Sequence, residues 1–542
     1  MGRLSRISVL IRPRRYTATT VLSHHKLGRL LEKEGSTRYQ YCRQPRQCQA
    51  TLDPHRSFLH HSPSSSKSLA GSISPAEYHS KMSDSYDEDN FHPSPPVHRI
   101  APAEVPDALD KSQFTVHVEL TALKIDQPRE LPIYRRQFKN DLLLLRSVSN
   151  IVKVDKEEGT DKVTDILLVL RPDIKLDLRG MSEELTAFLK ERPGVEVLPY
   201  SLELGYDFWR ADEILSGILP PDLLGEIPSG FTMTGHIAHM NLRDEYLPYK
   251  HIIGQLILDK NPKVRTVVNK LDSIDTVFRT FEMEVLAGEP DLYVEQHESN
   301  CRFQFDFSKV YWNSRLHTEH DRLISTFEPG EAVCDVFAGV GPFAVPAGKK
   351  NVIVLANDLN RHSYDSLVHN IKLNKVDKTV FPYNLDGREF IRISRHELKR
   401  LAETKKKLII PARSRHAKDE SGKRKVEIIQ IPTRYSHYVM NLPDSAISFL
   451  DAFRGLYAGD HEQAELPYVH VHCFHKSDPN APKPPNEEVQ STLRQRIACA
   501  LGFDIPLSAL SFHFVRAVAP TKGMYCVTFL LPKEVAFAKD DA

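Results

Sequence analysis

Asp335-Val-Phe-Ala-Gly339-Val-Gly341-Pro342-Phe343-Ala344 closes a short apolar run that begins at Val333. An apolar strand running into a turn with two glycines suits a ligand-binding α/β domain. Glycine lets the backbone bend sharply and lets a ligand touch the main chain. Pro342 stands where a helix can begin, because its missing N–H would have no partner there. The helix expected after it presents free N–H groups to an anionic group, here a carboxylate. Asp335 and Gly339 are therefore candidate cofactor contacts. The third glycine of the dinucleotide fingerprint is missing, which argues against NAD and FAD. Pro346 falls inside the expected helix and is expected to kink it beyond its first turn.

Downstream, Val352-Ile-Val-Leu-Ala-Asn-Asp358-Leu359 is a strand that ends in a carboxylate. It lies about 20 residues past the glycine turn, the spacing of an acid that binds ribose hydroxyls. Tyr364, Leu367, Val368 and Ile371 then recur at helical spacing, as a crossover helix requires. Asn384-Leu-Asp386-Gly387 reads as the next strand end, where a carboxylate can take an adenine amino group. Tyr438-Val-Met-Asn441-Leu-Pro443 ends a further strand, and its amide and carbonyl groups can hold a base N–H while proline fixes the loop. A helical pattern at Ile447, Leu450, Phe453 and Leu456 follows. Strand patterns at 333–337, 352–357, 438–441 and 469–474 alternate with helical ones, as in a doubly wound, mostly parallel sheet. Runs at 510–518 and 524–531, joined by Ala519-Pro-Thr-Lys-Gly523, read as a terminal antiparallel hairpin. Each segment alone is also what a plain α/β domain with capping acids would show.

The chain has 542 residues, enough for about three units. Its net charge of +1 gives no argument for a nucleic-acid partner, so any basic surface must be local. Seven cysteines without a C-x-x-C pair fit free thiols rather than a disulfide framework or zinc site, and no metal is expected. No apolar run approaches the roughly 18 residues that span a membrane. Residues 1–46 are rich in Arg and Ser and nearly free of acids, the composition of a mitochondrial leader, or alternatively of a basic tail that holds RNA. Residues 47–99 are too polar and Ser/Pro-rich to bury a core and read as a disordered linker. Folded structure is expected from near Pro106. Residues 100–198 read as a small α/β domain with strands at 114–120 and 165–170 and a helix at 142–148. A middle α/β domain, 199–326, is expected to hold strands around 235–241, 264–269 and 302–307 and a helix over 249–258. The third unit, 327–542, carries a basic insertion at 405–425 that reads as a surface loop.

Taken in order, the glycine turn, Asn-Asp358-Leu359 and Asn441-Leu-Pro443 are joined by two further segments. These are Phe278-Arg279-Thr-Phe-Glu-Met-Glu-Val-Leu-Ala-Gly-Glu289 and Val310-Tyr-Trp-Asn-Ser-Arg315-Leu-His-Thr-Glu319-His320. The set resembles the class I tRNA (guanine-N1)-methyltransferases, archaeal/eukaryotic type, which modify guanine 37, 3′ of the anticodon. The resemblance covers roughly residues 100–540. It implies a Rossmann-like class I methyltransferase domain preceded by two smaller α/β domains. It places His320, Asp358, Leu359, Asp386, Gly387 and Asn441 around S-adenosylmethionine. Glu319 is implied as general base, Arg279 as the cation facing guanine O6, and Arg315 as the group that positions Glu319 or the RNA. Asn441 is also implied at the reacting base. Residues 100–198 would dock the tRNA elbow while the catalytic domain takes the anticodon loop, in a monomer without membrane contact.

The chemistry is consistent from below. Guanine N1 is a poor nucleophile until its proton leaves; a carboxylate can take that proton, and a cation at O6 can hold the resulting charge. Two other readings share part of the signature: an aminocarboxypropyl transferase acting on a modified guanine, and a non-catalytic RNA-binding protein. The leader and the family together imply residence in the mitochondrial matrix, with cytoplasmic and nuclear pools.

Overall fold

The computed structural model describes residues 91–539, apart from 126, 156–163, 275–277, 279, 412–425, 460–464 and 479–484. The leader expected over 1–46 and the linker up to residue 90 lie outside the described residues. Residues 91–99, also expected to be linker, are instead bound. His98 and Ile100 donate backbone N–H groups to the carbonyls of Gly217 and Ile218. The Pro96 carbonyl lies 2.9 Å from where a Cβ at position 217 would stand, so only glycine admits this close pass. Ordered chain thus begins before Pro106.

The first sheet is antiparallel, in the order Ile151–Asp155, Thr164–Val169, Val116–Ile125, Glu196–Leu204. The last two pair continuously from Val116 opposite Leu204 to Lys124 opposite Glu196. The domain boundary expected at 198/199 therefore falls inside a paired strand. Phe114, Trp209, Ile214, Tyr249, Leu256 and Leu286 share one buried cluster, so the core also runs across that boundary. The helix expected at 142–148 is absent. Leu142 bridges Leu170, Leu143 donates to the Val169 carbonyl, and Leu144 is 74% exposed. A run of four leucines fits either period, and the extended one wins because the sheet edge supplies its hydrogen bonds. The nearby helix is Leu131–Gln137, with proline in its first turn.

The middle sheet runs Thr232–Thr234, Ile237–Met240, Thr266–Ile274, Phe281–Gly288, crossed by the helix Lys250–Lys260. A hairpin of Tyr293–Glu298 and Cys301–Asp306 leads to the helix His317–Ser325.

The third sheet has seven strands: β1 (Ala332–Asp335), β2 (Ile353–Asn357), β3 (Val380–Tyr383), β4 (His437–Met440), β5 (Tyr468–Lys476), β6 (Ser511–Ala519) and β7 (Lys522–Leu530). Their order is β3-β2-β1-β4-β5-β7-β6. The first five are parallel and the last two form an antiparallel hairpin, as expected from the sequence. Every residue of β1, β2 and β4 is buried, as strands covered on both faces require. Alternate residues face two separate cores, Cys334, Leu355 and Tyr438 on one side and Val333, Val354 and Val439 on the other. The chain winds outward from β1 in one direction and from β4 in the other, which opens a crevice at the carboxyl ends of these neighbours.

Two local expectations change. The helix after the glycine turn is Ala344–Lys349, so it starts later and is shorter than expected. Pro346 sits in its first turn, where its missing N–H breaks no bond of the helix. In the basic insertion, Lys405 still belongs to the helix Gly387–Lys405, and Lys407–Pro411 pairs with Val426–Gln430. That stretch is therefore partly a hairpin rather than wholly a loop.

Candidate active site

The carboxyl ends of β3, β2, β1 and β4 bring together the acids and the amide that the sequence singles out. Asp335 ends β1 fully buried; neither of its carboxylate oxygens has a close hydrogen-bond partner, and the Phe337 backbone N–H bears on it only weakly. Burial, followed by the nearby Asp358, pushes its pKa up to about 8. Gly339 and Gly341 follow at φ +55° and +101°. A side chain at 341 would meet Leu367 and Val345 at 2.8 Å, whereas nothing lies within 4 Å of a Cβ at 339. The turn is thus closed behind Gly341 and open in front of Gly339.

Asp358 braces this turn. Its Oδ2 accepts the Gly339 N–H at 2.8 Å and its Oδ1 accepts Asn360 N–H at 2.9 Å. Burial raises its pKa to about 6 against these two bonds. The buried Asn357 ties three loops together by donating to the Val336 and Leu385 carbonyls and accepting from Leu385 N–H. Asp386 caps the helix Gly387–Lys405 through Oδ1, 2.9 Å from Arg388 N. Phe337 would meet a Cβ at Gly387 at 2.8 Å, so the helix start is pressed against the glycine turn. Leu359 stays 51% exposed at the crevice. Asn441 follows β4 with its side-chain oxygen buried and unpartnered.

Glu319 lies elsewhere in sequence, on the helix His317–Ser325, and only 2% of its side chain is exposed. Arg322, one turn on, grips both oxygens, Nε at 2.6 Å from Oε2 and Nη2 at 2.7 Å from Oε1. His472 Nε2 lies 2.7 Å from Oε1. Burial alone would raise this acid, but Arg322 and His472 hold it ionised at about 2. His472 is buried too; burial works against its charge, yet Cys526 and Glu319 together raise it to about 10. Glu319, His472 and Cys526 come within metal-ligand reach of one another. Arg322 already occupies both carboxylate oxygens, so the cluster is built as a chain of ion pairs. Its link to the crevice is Phe343, whose ring meets His320 edge-on at 4.7 Å and lies 5.9 Å from His472. His320 is itself fixed by Glu298, 2.5 Å from Nδ1.

The fold therefore gathers Asp335, Gly339, Asp358, Leu359, Asp386, Gly387 and Asn441 on one rim, with His320 joined to it through Phe343 and Glu319 through His472 and Phe343. Arg315 does not touch Glu319; its guanidinium donates to Thr232 Oγ1 at 3.0 Å. Arg279 lies outside the described residues. Two residues of this cluster, Arg322 and His472, were not singled out in the sequence. Arg322 carried a signal, the i,i+3 spacing from Glu319 on a helix. The histidine carried only a weak one, since His470 and His472 alternate within an apolar strand.

Comparison with known proteins agrees with this architecture. The TYW2 N-terminal domain matches residues 211–291, and the TRM5/TYW2 methyltransferase domain matches residues 294–405. A tRNA (guanine(37)-N(1))-methyltransferase of Schizosaccharomyces pombe is 52% identical over 437 residues, which covers 80% of this chain and 95% of the relative. Its namesake in Saccharomyces cerevisiae is 46% identical over 484 residues, covering 82% and 95%. The solved complex of aTrm5 with tRNALeu superposes with a TM-score of 0.50 at 19% identity, over 76% of this chain and 99% of that one, and supports the fold alone. With relatives 46 to 52% identical along 95% of their length, and with the methyltransferase domain matched over β1, β2 and β3 of the crevice, the chain belongs to the tRNA (guanine(37)-N(1))-methyltransferase family.

Proposed function

We propose that the protein transfers the methyl group of S-adenosylmethionine to N1 of guanine 37 in the tRNA anticodon loop. The observation that carries this reading is a buried, ionised carboxylate, Glu319, joined through His472 and Phe343 to a glycine turn flanked by unpartnered polar atoms. The residues fit the cofactor. Asp335, buried without a close hydrogen-bond partner, suits the ammonium of its amino-acid end, and the open face of Gly339 admits close approach of a ligand. Asp358 keeps lone pairs for ribose hydroxyls beyond the two backbone bonds it accepts, and Asp386 keeps Oδ2 for the adenine amino group. Bound there, S-adenosylmethionine supplies a methyl group already activated by the sulfonium.

The chain's own residues then do the rest. Asn441, whose buried side-chain oxygen lacks a partner, holds the edge of the incoming guanine. Glu319 receives the N1 proton, so that N1 gains the electron pair it needs for attack. Arg279 faces O6 and stabilises the charge that moves onto oxygen. Arg315, anchored on Thr232, lines the side from which RNA arrives. Residues 100–198 dock the tRNA elbow. A single-stranded loop gives up its base at low cost, so the guanine can turn out to reach the site.

Mass spectrometry of nucleosides from unmodified tRNA incubated with the protein and S-adenosylmethionine tests the reading. One added methyl group at N1 of guanine 37 supports it. A larger addition on a modified guanine would instead make the protein an aminocarboxypropyl transferase, and no addition despite binding would leave an RNA-binding module. Asp358→Ala is expected to raise the cofactor dissociation constant by at least about tenfold, through lost ribose bonds and a loosened Gly339 turn. Calorimetry giving the wild-type value would remove Asp358 from the ribose site.

A further inference from the structure

Glu319 exposes only 2% of its side chain, yet the reaction proposed for it delivers a proton to that buried carboxylate. The last three strands of the sheet hold a row of side chains in front of it. His472 on β5 stands opposite Cys526 on β7, which stands opposite His513 on β6. Residues directly opposed in antiparallel strands project from the same face, so the whole row faces one way. Its two histidines reach the two oxygens of Glu319, His472 Nε2 at 2.7 Å from Oε1 and His513 Nε2 at 3.4 Å from Oε2.

The two differ in exposure. The His472 side chain is completely buried, whereas 46% of the His513 side chain is open to solvent. They also differ in what they can accept. Arg322 and His472 bind Glu319 as donors that keep their own protons, the first raised by its bonds to Glu319 and the second held at about 10. His513 is shifted the other way, lowered by burial and by Arg322, so it is neutral at pH 7, and its tautomer protonated at Nδ1 turns the Nε2 lone pair towards Oε2. The charged and titratable groups facing it are Arg322 and Glu319 from the helix His317–Ser325, His472 from β5 and Cys526 from β7.

On the reading that Glu319 takes the guanine N1 proton, we propose that His513 is the proton outlet of the site, accepting that proton at Nε2 and releasing it to water. The balance needs no further reactant. The N1–H and sulfur–methyl bonds break, the N1–methyl bond forms, and the proton passes from Glu319 Oε2 to His513 and then to solvent. A carboxyl held near 2 cannot keep a proton at neutral pH, so an onward acceptor makes the first transfer more favourable.

The test is the single-turnover methylation rate of His513→Gln on unmodified tRNA between about pH 5 and 9, across the range in which histidine titrates. Glutamine fills the same half-exposed place but cannot carry the proton. The expected rate at neutral pH is lower by about tenfold or more, and added imidazole restores it in proportion to its concentration. The wild-type rate falls on the acid side as His513 protonates; the variant lacks this limb. Affinities for S-adenosylmethionine and tRNA stay within about twofold. Wild-type rates for His513→Gln at every pH would overturn the outlet alone, as would a loss that imidazole does not reverse. Wild-type protein that makes no 1-methylguanosine would overturn the reading on which the outlet rests.

Discussion

Glu319→Gln is expected to lower single-turnover methylation by about 10²- to 10⁴-fold, the range that a positioned general base contributes. Glutamine keeps the shape of the side chain and one acceptor oxygen, so Arg322 and His472 can still bind it, but it cannot take the N1 proton. The cofactor crevice is built by other strands, and the S-adenosylmethionine dissociation constant should change by less than about twofold. The substitution also removes the negative partner of Arg322, whose side chain is 32% exposed and can turn partly to water, and of the fully buried His472, which can shed its charge by releasing its proton. Loss of folding stability should therefore stay well short of the roughly 3–5 kcal/mol of a fully buried broken pair. Rapid-quench assays with enzyme in excess check the rate, and calorimetry checks the cofactor. A variant that methylates at the wild-type rate would end the assignment of Glu319 as base.

Asp335→Asn should have opposite effects on stability and on binding. Its pKa is raised to about 8 in the folded protein, whereas an unfolded aspartate titrates near about 4. Below the unfolded value both states hold the proton and the residue costs nothing of this kind. As pH rises from there towards 8, the unfolded state gains by ionising while the folded state cannot follow, and stability falls throughout that window. Asparagine removes the penalty. At pH 7.5 the cofactor-free variant should be more stable, by up to about 5 kcal/mol if the amide is buried without cost, with the gain vanishing near pH 4. S-adenosylmethionine should bind at least about tenfold more weakly, because a neutral amide cannot pair with its ammonium. Thermal melts across pH, with and without cofactor, measure both. A variant less stable than wild type at pH 7.5 and as tight for the cofactor would show that Asp335 serves the fold and not the ligand.

The sequence revealed most where the chain is locally consistent. β2 and its acid, Asp358, could be read because an apolar strand, a carboxylate and a helical repeat succeed one another without interruption. Asn441 was found for the same reason. The amino-terminal half was harder. Glu196–Leu204 runs across the boundary expected at 198/199, and its Pro199 is tolerated because the strand is the edge of its sheet. Arg315 was the expected neighbour of Glu319 at four residues' distance, yet Arg322 at three residues in the other direction forms the pair, since helix geometry allows both. His472 is 153 residues from Glu319. No local pattern predicts a contact that depends on where β5 lands in the sheet, and His513 depends in addition on the register of a hairpin.

The strap formed by residues 91–100 sets how much of the amino terminus the described fold can lose. Its backbone donates to Gly217 and Ile218, and the Tyr249 hydroxyl reaches the Ile100 carbonyl at 2.7 Å. A peptidase that trims the amino terminus anywhere ahead of Phe91 removes none of these bonds, so long and short versions of the polypeptide share the same described fold. Trimming past Ile100 would strip the cover from Gly217 and leave the Tyr249 hydroxyl without its acceptor.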